Sequence, residues 1–145
     1  MSQVYLDICG PCWKYTGTTA LGEAWKSGER DLPSSGVDSS IKGCLGLCEE
    51  RNHAIVSRGD ANNTIIFKNI NTPTDVHAVQ DYAADTARND CLRELPAGLA
   101  ERVYICVRDG RIEQHPFLGR DAFELAEELT RNHFEWVRKL PQKDF

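Results

Sequence analysis

Gln3-Val4-Tyr5-Leu6-Asp7-Ile8-Cys9-Gly10-Pro11-Cys12 is the stretch whose reading decides the fold. Val4, Leu6 and Ile8 alternate with Tyr5 and Asp7, the period-two pattern of a strand with one buried face. The strand ends at Cys9, where Gly10 and Pro11 turn the chain. Thr18 or Thr19 then caps a helix that runs to about Ser27, with Ala20, Leu21, Ala24 and Trp25 on one face and Gly28 as its stop. A Pro/Ser/Gly connector over residues 31–36 follows, and residues 37–43 alternate again, delivering Cys44 at the end of a second strand. A strand, helix and strand joined in this way predict two parallel strands. Cys12 and Cys44 are therefore expected at the same edge of the sheet.

Downstream, residues 53–58 and 64–70 are β-rich runs separated by residues 59–63, which predicts a hairpin. Thr72-Pro73-Thr74-Asp75 starts a helix: Thr72 is the N-cap, Pro73 the first helical residue, and Asp75 answers the cap. Val76, Val79, Tyr82 and Ala83 mark its buried face as far as about Asn89. Residues 3–89 thus spell β-α-β-β-β-α. A short helical piece over residues 91–95, broken by Pro96, is expected next. Two strand-like runs, 102–107 and 111–115, are joined by Asp109-Gly110, a strong hairpin turn. The last element is a long helix with Asp121 and Glu124 at its start and Arg138 and Lys139 at its end. Its apolar residues, Ala122, Leu125, Leu129, Phe134, Val137 and Leu140, lie near one stripe. The expected organisation is an α/β domain over residues 1–90 and a C-terminal ββα extension over residues 91–145 packed on it.

At 145 residues the chain can bury about two-thirds of its unfolded surface, so it needs no metal or disulfide merely to fold. Its 17 basic and 22 acidic residues give a net charge of -5, and no Lys/Arg block appears. Nucleic acid is not an expected partner. Residues 1–8 have neither a basic nor an apolar signal region, and no run approaches the about 18 apolar residues of a membrane span. A cytoplasmic protein without membrane contact is expected. Arg58-Gly59-Asp60 and Asn62-Asn63-Thr64 match adhesion and glycosylation motifs that need an extracellular protein, and both read here as hairpin turn.

A reducing compartment gives the six cysteines their meaning, since it disfavours structural disulfides and leaves close pairs as metal or redox sites. Cys9 and Cys12 form one pair, Cys44 and Cys48 the other. Buried apolar filler is not distributed in close pairs at strand ends, whereas Cys91 and Cys106 read as buried cysteines of that kind. His53, His77, His115 and His133 show no paired ligand spacing, and His133 reads as surface or core edge. Trp25, Phe134 and Trp136 read as core.

In these residues the chain resembles the thioredoxin-like [2Fe-2S] ferredoxins, in particular their predicted metal-binding relatives with a CxxC after the first strand and a Cys-Leu-Gly-x-Cys after the second. The matching residues are Cys9, Cys12, Cys44 and Cys48, with Leu45-Gly46 as the Leu-Gly. The hairpin and the Thr72-Pro73 helix extend the resemblance over residues 4–89. It implies a thioredoxin-like core with those four thiolates holding a [2Fe-2S] cluster. A ferredoxin-like electron carrier rather than an enzyme follows, with a redox protein as donor or acceptor. Apart from the resemblance, a homodimer is an assembly left open, with the C-terminal extension as the dimer surface if the chain is an interaction module.

Two other readings stay open. The two-residue spacing of Cys9 and Cys12 equally suits tetrahedral zinc, which would make the chain a zinc-stabilised, non-catalytic interaction module. Cys9-Gly10-Pro11-Cys12 also suits a thioredoxin-like thiol-disulfide oxidoreductase. Against that reading, Ile8 stands where a Trp usually precedes the motif, and residues 49–52 hold no proline before the third strand.

Overall fold

The computed structural model describes residues 3–15, 19–47 and 52–142. It is a mixed α/β structure. Strands β1 (Val4–Cys9), β2 (Val37–Lys42), β3 (Ala54–Ser57), β4 (Thr64–Phe67), β5 (Val103–Arg108) and β6 (Arg111–Gln114) form one sheet in the order β2-β1-β3-β4-β5-β6. β1 and β2 are parallel, with Val4 opposite Val37 and Cys9 opposite Lys42. All other neighbours are antiparallel. The extension expected beyond residue 90 therefore adds two strands to the same sheet.

The helices are α1 (Gly10–Tyr15), α2 (Thr19–Glu29), α3 (Pro73–Asn89), α4 (Ala97–Ala100) and α5 (Ala122–Lys139). None among the described residues is long and apolar enough to cross a membrane. α3 follows its sequence signals closely. Thr72 Oγ1 accepts a hydrogen bond from the Asp75 backbone N–H at 3.1 Å, and the Asp75 carboxylate accepts one from the Asn71 N–H at 3.3 Å. The orphan donors of the first turn are thereby partly satisfied.

The ladder assigns the two faces of the sheet. Phe67 meets the Tyr82 ring of α3 edge-on at 6.0 Å, and its ladder neighbours Ala54 and Ile8 share that face. Asp7, Ile55, Ile66 and Ile105, aligned one position along, face the other way. α5 covers that second face. Its Arg138 pairs with Asp7, which is fully enclosed, and the guanidinium lies 4.4 Å from the centre of the Tyr5 ring. Lys42 Nζ donates to the Leu140 carbonyl at 3.1 Å.

Several expectations need correction. Gly10 and Pro11 do not turn the chain away but open α1, since proline fits a first helical turn, where its missing N–H has no partner to lose. Gly28 lies inside α2 rather than ending it. A Cβ there would run into the Gln80 carboxamide, which donates to the Trp25 carbonyl at 2.9 Å, so the glycine serves packing between helices. The fourth strand stops at Phe67, and Asn69 takes a left-handed backbone at φ 56°. Residues 91–95 are irregular, and the short helix follows Pro96 instead of preceding it.

The buried line of α5 is also rotated from the expected stripe. It runs through Ala122, Ala126, Thr130, His133 and Val137, while Leu125 and Trp136 are exposed. Spacings of three and four residues keep this line on one side, and its small residues let the helix approach the sheet.

Replacing Arg138 by Met should leave Asp7 enclosed without its cation and lower stability by about 3 kcal/mol or more. The double variant Asp7→Asn/Arg138→Met is expected to recover at least half of that loss, as measured by equilibrium urea unfolding.

Candidate functional site

Two parallel strands with matched ends place their following loops side by side. The carboxyl ends of β1 and β2 do this with Cys9 and Lys42, so the segment beginning at Gly43 emerges next to α1. Cys9 is the last residue of β1, and Cys12 follows in α1. Both are buried, at 0% and 6% exposure, whereas Cys44 is exposed. Cys48, the fourth expected ligand, lies outside the described residues. The structure thus brings Cys9 and Cys12 together and sets the Cys44 segment at the same end of the sheet.

Apolar groups enclose the inner pair. Trp13, next to Cys12, packs edge-on against Trp25 at 5.8 Å and donates its indole N–H to the His53 carbonyl at 3.4 Å. Leu45 is fully buried beside Cys44. Gly46 takes a left-handed backbone at φ 81°, which a side chain would strain, and this keeps the loop tight under Trp136 of α5.

Two histidines complete this end of the molecule. Continuing the β1–β3 register by one residue sets His53 opposite Cys9, on the face that α5 covers. The His53 and His133 rings lie 6.4 Å apart, and Trp136 tilts against His133 at 5.7 Å. Both histidines are buried, contrary to the surface or core-edge reading of His133. Burial pushes the His133 imidazole down to about 4, so it is neutral at neutral pH. Only one sequence signal could have found it: its place on the line with Ala126, Thr130 and Val137.

The remaining cysteines stand apart. Cys106 is a buried free thiol on the α3 face, where desolvation pushes its pKa up, as expected of apolar filler. Cys91 is exposed, which corrects the buried reading: it follows the left-handed Asp90 that ends α3.

Thiolates are soft donors suited to zinc or iron-sulfur centres. Among the described residues, no group of three His, Cys, Asp or Glu side chains is placed to hold a metal ion. A four-thiol set would need Cys48 and closure of the Cys44 loop on Cys9 and Cys12. Comparison with protein-family models, curated proteins and solved structures finds no match to this chain.

The buried neutral imidazole has a measurable consequence. An unfolded chain protonates this histidine below about pH 6.5, the folded chain only near pH 4. Between those values the unfolded state binds more protons, so stability falls as pH drops through the window and is complete above it. Urea unfolding at pH 7 and pH 4.5 should show the wild type losing up to about 3 kcal/mol more than His133→Gln. Parallel losses would mean that the imidazole is not buried neutral.

Proposed function

We propose that this chain is a [2Fe-2S] ferredoxin-like electron-transfer protein of thioredoxin-like fold, with Cys9, Cys12, Cys44 and Cys48 as the cluster ligands. One observation carries the reading: the parallel β1–β2 register sets the Cys9/Cys12 pair and the Cys44 loop at one end of the sheet. The order of elements from Val4 to Asn89, β-α-β-β-β-α with a further turn of helix at α1, supports the thioredoxin-like assignment. A reducing, cytoplasmic setting fits free thiols such as Cys9.

The donors suit such a centre chemically. Cys9 and Cys12 offer two thiols buried from water, and Trp13 and Leu45, in the segments that carry Cys12 and Cys44, are buried as well. Gly46 lets the loop backbone come close, where amide N–H groups can hydrogen-bond to sulfur. When bound, the cluster supplies one-electron redox chemistry. Cys44, on the exposed side, marks the surface that a redox partner would approach. The burial of Cys9 weighs against thiol-disulfide exchange, because an attacking thiolate must reach its disulfide.

Anaerobic purification followed by iron, sulfide and zinc analysis tests the proposal. About two irons and two sulfides per chain are expected, with visible charge-transfer absorption and an EPR signal on reduction. Serine at Cys9, Cys12, Cys44 or Cys48 should abolish these, while Cys91→Ser and Cys106→Ser keep them. A colourless protein with one zinc per chain would replace the carrier with the zinc-stabilised module. Metal content indifferent to Cys44→Ser and Cys48→Ser would end the four-thiol site.

A further inference from the structure

Beside its buried line, α5 carries a second pattern, written in heptads. With Leu129 at an a position, Ala126 and His133 fall at e, the flank against the sheet, and both are buried there. The adjoining a and d positions form a seam of Leu125, Leu129, Asn132 and Trp136, spaced four, three and four residues apart. Leu125 is 49% exposed and Trp136 41%, Asn132 is exposed and Leu129 half-buried. That spacing keeps the four side chains on one side of the helix, where a second helix can seat them. Large apolar groups held in water along such a line mark an interaction surface.

The seam leads to the cysteine end of the sheet. His133, at the e position beside it, lies 6.4 Å from the His53 ring. Trp136, the last apolar residue of the seam, stands over Gly46, where a Cβ would come within 3.8 Å of its ring. Cys44, in the same segment as Gly46, is exposed. A helix laid along the seam therefore reaches the Cys44 segment.

The charges indicate which partner fits. The outer flank of the seam, position g, is acidic in every heptad: Asp121 just before the helix, then Glu128 and Glu135, all exposed. Arg131 is engaged by Glu127, and Lys139 stands at the last residue of the helix. Charges at g select the partner and its orientation. A second copy of this chain does not fit. Antiparallel helices set g against g, so acid would meet acid, while parallel helices set g against e, and here e lies on the sheet. A helix with Lys or Arg opposite the acidic row does fit.

We infer that α5 is the docking ridge for a basic amphipathic helix of a partner protein, seated on Leu125, Leu129 and Trp136 with its cations against Glu128 and Glu135. Docking there brings the partner beside Cys44. That the partner is a redox protein rests on the cluster reading above, whereas the seam and its charges do not.

The probe is a fluorescein-labelled peptide of about 21 residues, three heptads with Leu at a and d, one Asn in the seam, and Lys at e and g. Its counterpart carries Glu at e and g. Each is titrated with the full chain in reducing buffer to about 500 μM and followed by fluorescence anisotropy. The Lys peptide is expected to bind at micromolar concentrations, more weakly as salt rises, and the Glu peptide not to bind. Leu125→Ser should weaken binding roughly tenfold. Glu128→Lys/Glu135→Lys should weaken it at least about tenfold and transfer binding to the Glu peptide. Glu94→Lys/Glu101→Lys makes the same change of net charge at exposed positions outside α5 and should leave both titrations within about twofold of the wild type. Far-UV circular dichroism checks that each variant is folded, and iron content of the same samples tests the cluster reading separately. No binding of the Lys peptide to about 500 μM, equal losses in the seam and control pairs, or a titration indifferent to Leu125→Ser would overturn the inference.

Discussion

Asp7 stands in the middle of β1 with its carboxylate enclosed on the sheet face, and a charge so placed must be matched by another. Arg138 supplies the match from the far end of the chain, held between the Tyr5 ring and, at 5.9 Å, the Phe134 ring. A buried pair of this kind adds little net stability over an apolar substitute, but it discriminates strongly against arrangements that separate its members. The last turns of α5 are thereby tied to the strand that ends in Cys9. With that end of the helix fixed, Trp136 lies over Gly46, His133 against His53, and the Leu140 carbonyl within reach of Lys42. The cover over the cysteine end of the sheet follows from one ion pair on its central face.

This dependence also explains what could be read from the sequence. Thr72-Pro73-Thr74-Asp75 and Asp109-Gly110 act within four residues, and both elements form as their local chemistry dictates. The parallel pairing of β1 with β2 was legible because a crossover helix leaves few other topologies. Gly28 was misread because its reason, the Gln80 side chain, comes from another helix. The line of α5 was misread because Leu125 and Phe134 look more apolar than Thr130 and His133. What orients the helix is Asp7, 131 residues away from Arg138. Asp7 itself read as the solvent side of a strand, a fair inference only for a sheet with one covered face.

The candidate site divides in the same way. Cys9, Cys12 and Cys44 are visible in the sequence because close cysteine pairs at strand ends are rare, and the register brings their segments together. His53 and His133 were not visible as a pair, because one comes from the entry to β3 and the other from α5. The burial difference between Cys9 and Cys44 is likewise a property of the assembled layers. No spacing rule encodes it.

The sheet order gives a reason for the site to lie where it does. From β1 the chain crosses to β2 on one side and then returns to β3 on the other. The carboxyl end of β1 therefore lies between the segment that leaves β2 and the one that enters β3. At this end of the sheet stand α1 with Cys12, the Cys44 segment and the entry to β3 with His53. Cys9 and Cys12 are buried at this end and Cys44 is exposed, with Trp136 of α5, the helix anchored through Asp7, over Gly46. A substitution that loosened that anchor would change the solvent exposure of Trp136 and the Gly46 loop before it disturbed the β1–β2 register. The surroundings of the cysteine end and the packing of the C-terminal helix are thus physically coupled, although their residues lie at opposite ends of the chain.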